Sequence, residues 1–111
     1  AETWAIDVRD GAGRTHPLVL RRSAGHGSDD FNPGVGKREE ALAQAAAARH
    51  GVPAAPVLAV FSDDAALGTG YVMQRLAGET LARRLLREER YAGARRRLVA
   101  DCARALAAIH R

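Results

Sequence analysis

Aromatic residues make up only 5% of this 111-residue chain, and cysteine and lysine each occur once, as Cys102 and Lys37. A single cysteine excludes an intramolecular disulfide and is typical of a reducing compartment. No apolar run is long enough to cross a membrane, and no signal-peptide pattern opens the chain. The apolar fraction of 47% nevertheless excludes a disordered chain. We therefore expect a folded, soluble, cytoplasmic protein with no membrane partner.

The chain carries a formal net charge of +4, and arginine supplies nearly all of its positive charge. The arginines are interspersed with acids, apart from one run at residues 95–97, and few aromatic rings are present to stack on bases. This pattern indicates solvated helix faces rather than a nucleic-acid-binding surface. The four histidines lack the spacing of metal ligands, so no metal site is predicted.

The first half of the chain predicts a β-hairpin followed by a helix. Residues 3–9 and 16–22 have the composition of strands, and the glycine-rich turn at 10–13 joins them. Alternation along the second strand places Val19 and Arg21 on one face, with Leu18 and Leu20 on the other.

A long loop over residues 23–36 leads to an alanine-rich helix over 37–49. The glycines before Lys37 do not form a phosphate-binding loop, since the first glycine of that motif would fall on Phe31 and the residue after Lys37 is Arg38. Within the helix, Glu39 and Leu42 share a face, so Glu39 is expected to point inward and Glu40 aside.

The second half predicts another hairpin and then helices. Strands are expected over 57–61 and 70–76, after an extended connector over 52–56 and around a turn over 62–69. From residue 79 the apolar period changes to that of a helix, ending near 90, with Thr80 as a cap. A further helix has a stripe that includes Leu98, Cys102 and Ile109, so Cys102 is expected to be buried. The fold class is α+β: an antiparallel sheet with one packed helix, followed by helices.

This order of elements resembles the small lobe of the aminoglycoside phosphotransferase-like (kinase-like) family. The branch related to the kinase-like domain of acyl-CoA dehydrogenase fusion proteins is the most similar. Four segments carry the likeness: Glu2–Trp4, Leu18–Arg22, Arg38–Glu39 leading to Gly51–Leu58, and Tyr71–Gly78. The resemblance implies a nucleotide-binding lobe over residues 1–78 and the start of a helical lobe over 79–111.

The resemblance also implies a binding site for ATP. Arg21 takes the role of the strand cation that holds the α- and β-phosphates, and Glu39 takes the role of the helix acid that holds this cation. The adenine is expected to lie against Val19 and Met73. The backbones of Gln74 and Leu76 would present a carbonyl and an amide to the edge of the base. The chain departs from protein kinases in having arginine, not lysine, at position 21.

The function that this resemblance implies is ATP-dependent phosphorylation of a hydroxyl on a small molecule, with Mg²⁺ bound beside the nucleotide. The catalytic aspartate and the metal ligands are expected beyond Arg111, and the glycine-rich turn before Ala1, so no catalytic residue is assigned within the chain. Because Arg21 replaces lysine, a second interpretation stays open, in which a degenerate, non-catalytic kinase-like module binds a protein partner.

Overall fold

A four-stranded antiparallel sheet forms the first part of the fold in the computed structural model, which describes residues 1–23 and 36–111. Its strands follow the spatial order β1-β2-β4-β3. In chain order they are β1 (Glu2–Arg9), β2 (Thr15–Ser23), β3 (Val57–Asp64) and β4 (Gly68–Gln74). The helices are α1 (Lys37–Arg49), α2 (Ala82–Arg87) and α3 (Ala92–Ile109), and a 3₁₀ turn (Glu89–Tyr91) joins the last two. The α+β fold class predicted from the sequence is confirmed.

The β1–β2 hairpin closes through the side chain of Asp10. Its Oδ1 atom accepts hydrogen bonds from the backbone N–H groups of Ala12 (2.9 Å) and Arg14 (3.0 Å). Gly13 adopts a φ of 82°, a conformation that glycine reaches without a steric penalty. This turn fixes the register of the two strands, in which Thr3 lies opposite Arg21.

The β3–β4 hairpin differs in extent from the prediction. β3 continues to Asp64 instead of ending at residue 61, and β4 ends at Gln74 instead of residue 76. The carboxylate of Asp64 stabilises a short turn by accepting hydrogen bonds from the N–H groups of Ala66 and Leu67, both at 2.9 Å. Asp64, which the sequence pattern places in the turn, is therefore the last residue of β3 and stabilises the turn that follows.

The helix α1 packs on one face of the sheet, against β2, β3 and β4. Its alanine-rich sequence favours a helix, and Gly51 (φ 80°) follows its last turn. The core lies at this contact, where Ala41 and Tyr71 are each 1% exposed. Of the loop predicted over residues 23–36, positions 24–35 fall outside the described residues.

The helices α2 and α3 pack against each other after the sheet ends. Nη1 of Arg95 on α3 donates hydrogen bonds to the carbonyls of Leu85 (2.7 Å) and Glu88 (2.8 Å), at the end of α2. The prediction that Cys102 is buried is wrong, because its side chain is exposed on α3. Thr80 is not the cap of α2, since the residue in that position is Leu81. Among the helices of the described segments, none has the length and apolar content needed to cross a membrane.

Candidate functional site

The carboxylate of Glu40 on α1 is the centre of a polar cluster between the helix and the sheet. Its Oε1 atom accepts a hydrogen bond from Nε of Arg21 at 2.5 Å and another from the hydroxyl of Tyr71 at 3.2 Å. Its Oε2 atom accepts a hydrogen bond from Nζ of Lys37 at 2.9 Å. Two cations therefore share one carboxylate, which leaves the cluster with a net positive charge.

Strand register and helix periodicity bring these four residues together. Arg21 on β2 and Tyr71 on β4 are direct cross-strand partners, so their side chains lie on the same face of the sheet. Lys37 and Glu40 are three residues apart on α1 and therefore share one helix face. That face includes the buried Ala41 and packs on the sheet directly above Arg21 and Tyr71.

The prediction that Glu39 points inward and Glu40 aside is wrong. Glu39 is exposed, and its carboxylate lies beside Gly36 at the first turn of α1. Leu42, which was expected to accompany it toward the core, is 55% exposed. The ion pair predicted between Arg21 and Glu39 forms instead between Arg21 and Glu40.

The environment of the cluster keeps Glu40 ionised. Partial burial raises the pKa of Glu40, but hydrogen bonds from Lys37 and Arg21 outweigh that effect and hold the pKa below its ordinary value. Burial raises the pKa of the Tyr71 hydroxyl, and the neighbouring Glu40 charge raises it further. Tyr71 therefore stays neutral and serves as a donor, while Glu40 is the anion that pairs with both Arg21 and Lys37.

Arg21 makes a second contact on the sheet. Its Nη1 atom donates a hydrogen bond to Oγ1 of Thr3 at 3.1 Å, in addition to the Nε contact with Glu40. Its side chain is nevertheless 33% exposed, so the guanidinium is held in place while solvent still reaches it. Arg22 points to the opposite face, as strand alternation predicts, and pairs with Glu2 at 2.9 Å.

Val19 and Met73 lie next to this cluster on the same face of the sheet. They are direct cross-strand partners, two residues along the strands from Arg21 and Tyr71, and both are half-buried. The amide nitrogen of Gln44 on α1 lies 3.3 Å from the sulfur of Met73, and it donates a hydrogen bond to the carbonyl of Ala55 at 2.7 Å. The predicted shared face of Val19 and Arg21 is confirmed.

The two backbone positions that were predicted to contact the edge of the adenine, Gln74 and Leu76, lie at the end of β4 and just beyond it. The N–H of Gln74 donates to the carbonyl of Pro56 at 2.9 Å. Pro56 has no N–H with which to return a hydrogen bond to the Gln74 carbonyl. Two residues further on, Leu76 lies outside the strand with its side chain 60% exposed. Met73 is thus followed by a carbonyl that Pro56 cannot hydrogen-bond and, three residues on, by an exposed side chain.

Sequence reasoning missed three members of the cluster, Lys37, Glu40 and Tyr71, and it also missed Thr3, which accepts a hydrogen bond from Arg21. A signal was present for two of them, because the only lysine of the chain stands three residues before a glutamate in the first turn of a helix. The register of the first hairpin would have identified Thr3, had the turn length been known. Within residues 1–23 and 36–111, no three His, Cys, Asp or Glu side chains come together as metal ligands.

Comparison with known protein families gives a match over nearly the whole chain. Residues 3–111 match the sequence model of the phosphotransferase enzyme family (APH). A search of curated proteins and a search of solved structures gave no significant match.

Proposed function

Because the chain belongs to the phosphotransferase enzyme family, we propose that it forms the nucleotide-binding lobe of an ATP-dependent enzyme that phosphorylates a hydroxyl of a small molecule. The ion pair between Arg21 on a strand and Glu40 on the packed helix is the observation that carries this proposal. Kinase-like folds use a strand cation, held by a helix carboxylate, to bind nucleotide phosphates. We accordingly transfer the acid role from Glu39 to Glu40.

Arg21 suits the phosphate role because it is both held in place and accessible. A guanidinium stays charged at any physiological pH and forms directed hydrogen bonds with phosphate oxygens. The cluster keeps a net positive charge after Glu40 has compensated one of its two cations, Arg21 or Lys37. An anionic ligand is therefore attracted to the exposed side of Arg21.

The adenine would bind beside Arg21, against the half-buried pair of Val19 and Met73. The carbonyl of Gln74 would accept a hydrogen bond from the edge of the base, and the N–H of Leu76 would donate one. The missing N–H of Pro56 supports this proposal, because no strand partner at that position competes for the Gln74 carbonyl. Backbone groups at fixed positions suit this role since they lose no side-chain entropy on binding.

Mg²⁺ bound with the nucleotide would neutralise phosphate charge during transfer. We expect three parts of the active site to lie outside this chain: the Mg²⁺ ligands, the catalytic aspartate and the pocket for the acceptor molecule. We further propose a cytoplasmic location and membership of the branch related to the acyl-CoA dehydrogenase fusion proteins. The lone cysteine supports the first proposal, and the resemblance carried by four segments, of which Tyr71–Gly78 is the last, supports the second.

Titration calorimetry of the full-length protein with Mg-ATP tests the proposed function. Wild type should bind Mg-ATP, and Arg21→Ala should bind it at least about tenfold more weakly, because a charged hydrogen bond to phosphate is lost. Arg22→Ala is the matched control, since Arg22 is the adjacent cation on the opposite face, and it should bind like wild type. If wild type does not bind Mg-ATP, the proposed enzymatic function is refuted, and the alternative of a non-catalytic module that binds a protein partner is favoured.

A further inference from the structure

Thr3, Arg21 and Tyr71 form a row across three neighbouring strands of the sheet. Thr3 on β1 is the cross-strand partner of Arg21 on β2, and Arg21 is in turn the partner of Tyr71 on β4. Direct partners point to the same face, so the Arg21 guanidinium has an oxygen-bearing side chain on each side. Glu40 approaches this row from α1.

Two different nitrogens of Arg21 are used by two different partners. Nε donates to Glu40, and Nη1 donates to the hydroxyl of Thr3. Two contacts at separate points of a rigid, planar group fix both the position and the orientation of its plane. Nη2 takes part in neither hydrogen bond.

The first of these anchors is itself held firmly. Glu40 also accepts hydrogen bonds from Lys37 and from Tyr71, which are 8% and 1% exposed. Glu40 therefore stays in place independently of Arg21. What remains to be fixed is the rotation of the guanidinium around its contact with Glu40, and Thr3 is placed to fix it.

We propose that Thr3 is a positioning residue that orients the Arg21 guanidinium toward the nucleotide phosphates and thereby makes arginine, rather than lysine, the required residue at position 21. This inference rests on the proposed function. A lysine ammonium is a single point charge on a flexible stem, so it can pair with Glu40 but has no second nitrogen for Thr3. The side chain at position 21 would then keep its charge but would no longer be held in one orientation.

The test is a double-mutant cycle on Mg-ATP affinity in the full-length protein. Thr3→Val removes the hydroxyl at nearly constant volume and should weaken binding about five- to tenfold, the effect of one net hydrogen bond. Thr3→Ser keeps the hydroxyl and should bind like wild type. Thr15→Val is the matched control, because Thr15 lies at the far end of β2, opposite Arg9. In an Arg21→Lys background, which is itself weakened, Thr3→Val should have no further effect.

A second readout needs no nucleotide. The ¹⁵N-edited NMR signal of the Arg21 Nε–H group reports how firmly the guanidinium is held, and Thr3→Val should shift it and accelerate its exchange with solvent. Equal affinities for Thr3→Val and wild type, or an equal loss in the Arg21→Lys background, would overturn the inference. An unchanged Nε–H signal in Thr3→Val would also overturn it. Failure of wild type to bind Mg-ATP would refute the proposed function, and the NMR signal would then still decide whether Thr3 restrains Arg21.

Discussion

Nε of Arg21 lies 2.5 Å from Oε1 of Glu40, so a strand in the middle of the sheet is joined to the helix that packs on it by an ion pair. The other oxygen of the same carboxylate holds the buried Lys37. Loss of the Glu40 charge would leave two cations facing each other with no anion between them. The stability of the fold at this position therefore depends on one ionised group, and under the proposed function nucleotide binding would depend on the same group.

The free energy of unfolding should depend on pH through Glu40. The folded-state pKa of Glu40 lies below its ordinary value of 4.5, because Lys37 and Arg21 outweigh the effect of burial. The stabilisation by its charge is therefore fully present above about pH 4.5 and is lost as the pH falls through the lower, folded-state pKa. Glu40→Gln should lower the free energy of unfolding by about 2 kcal/mol at neutral pH, because it leaves Lys37 and Arg21 without an anion.

Urea denaturation of both proteins between pH 7 and pH 3 checks this prediction. The difference in unfolding free energy between wild type and Glu40→Gln should be constant at the upper end of this range and shrink below about pH 4.5. All other titrating groups are common to both proteins and cancel in the difference. A difference that stays constant down to pH 3 would show that the charge of Glu40 does not stabilise the fold.

The Tyr71 hydroxyl should stabilise the fold through its hydrogen bond to Glu40. Tyr71→Phe keeps the buried ring and removes only the donor, so we expect a loss of about 1 kcal/mol in the free energy of unfolding. Tyr91→Phe is the matched control, since the Tyr91 ring contacts the Arg90 guanidinium 4.8 Å away through its face and not through its hydroxyl. Equal stabilities of the two variants in chemical denaturation would contradict the role given to the Tyr71 hydroxyl.

The sheet could be predicted from the sequence, but the face that α1 presents to it could not. In β2, strict alternation assigned Val19 and Arg21 to one face, and the structure confirms it. In α1, the residues that face the sheet include Lys37, Glu40 and Gln44, all of them polar. An apolar stripe therefore does not mark the packed face, and the one large apolar residue, Leu42, points toward solvent.

The ends of the second hairpin depend on side chains that hydropathy does not identify. Thr69 and Asp64 each accept a hydrogen bond from the backbone near the turn, which extends β3 past the apolar run. At Cys102 hydropathy predicts burial where there is none. The periodicity of α3 predicts a buried stripe that includes this residue, but its side chain is exposed. Periodicity indicates which residues share a face but not what covers that face.

Gly70 should be required for the close approach of β4 to β2. A Cβ atom at Gly70 would collide with the backbone carbonyl oxygen of Arg21 and with Cα of Arg22, both of which are part of a paired strand. Gly70→Ala should therefore lower the free energy of unfolding by about 2 kcal/mol, in the range of overpacked cores. It should also weaken Mg-ATP binding, since Arg21 would have to shift.

Gly11→Ala provides the comparison, because a Cβ atom at Gly11 would meet no atom within 4 Å. Thermal unfolding of both variants beside wild type checks the prediction. If Gly70→Ala is as stable as Gly11→Ala, β2 and β4 do not approach each other in the way described.

Val19 should form one wall of the adenine site. Val19→Phe would place a large ring on the Arg21 face of the sheet, and we expect it to weaken Mg-ATP binding at least about tenfold by occluding the base. Leu18→Phe places the same ring on the opposite face and should leave the affinity unchanged. Titration calorimetry of both variants with Mg-ATP checks this prediction. If the two variants bind Mg-ATP with equal affinity, the adenine does not lie against Val19.

The central claim is that Glu40, and not its neighbour Glu39, holds the phosphate-binding arginine. The most direct test is the dissociation constant for Mg-ATP of Glu40→Gln beside that of Glu39→Gln in the full-length protein. We predict that Glu40→Gln weakens binding at least about tenfold, since Arg21 loses its anchor, whereas Glu39→Gln binds like wild type. A large loss in Glu39→Gln with normal binding in Glu40→Gln would contradict the account.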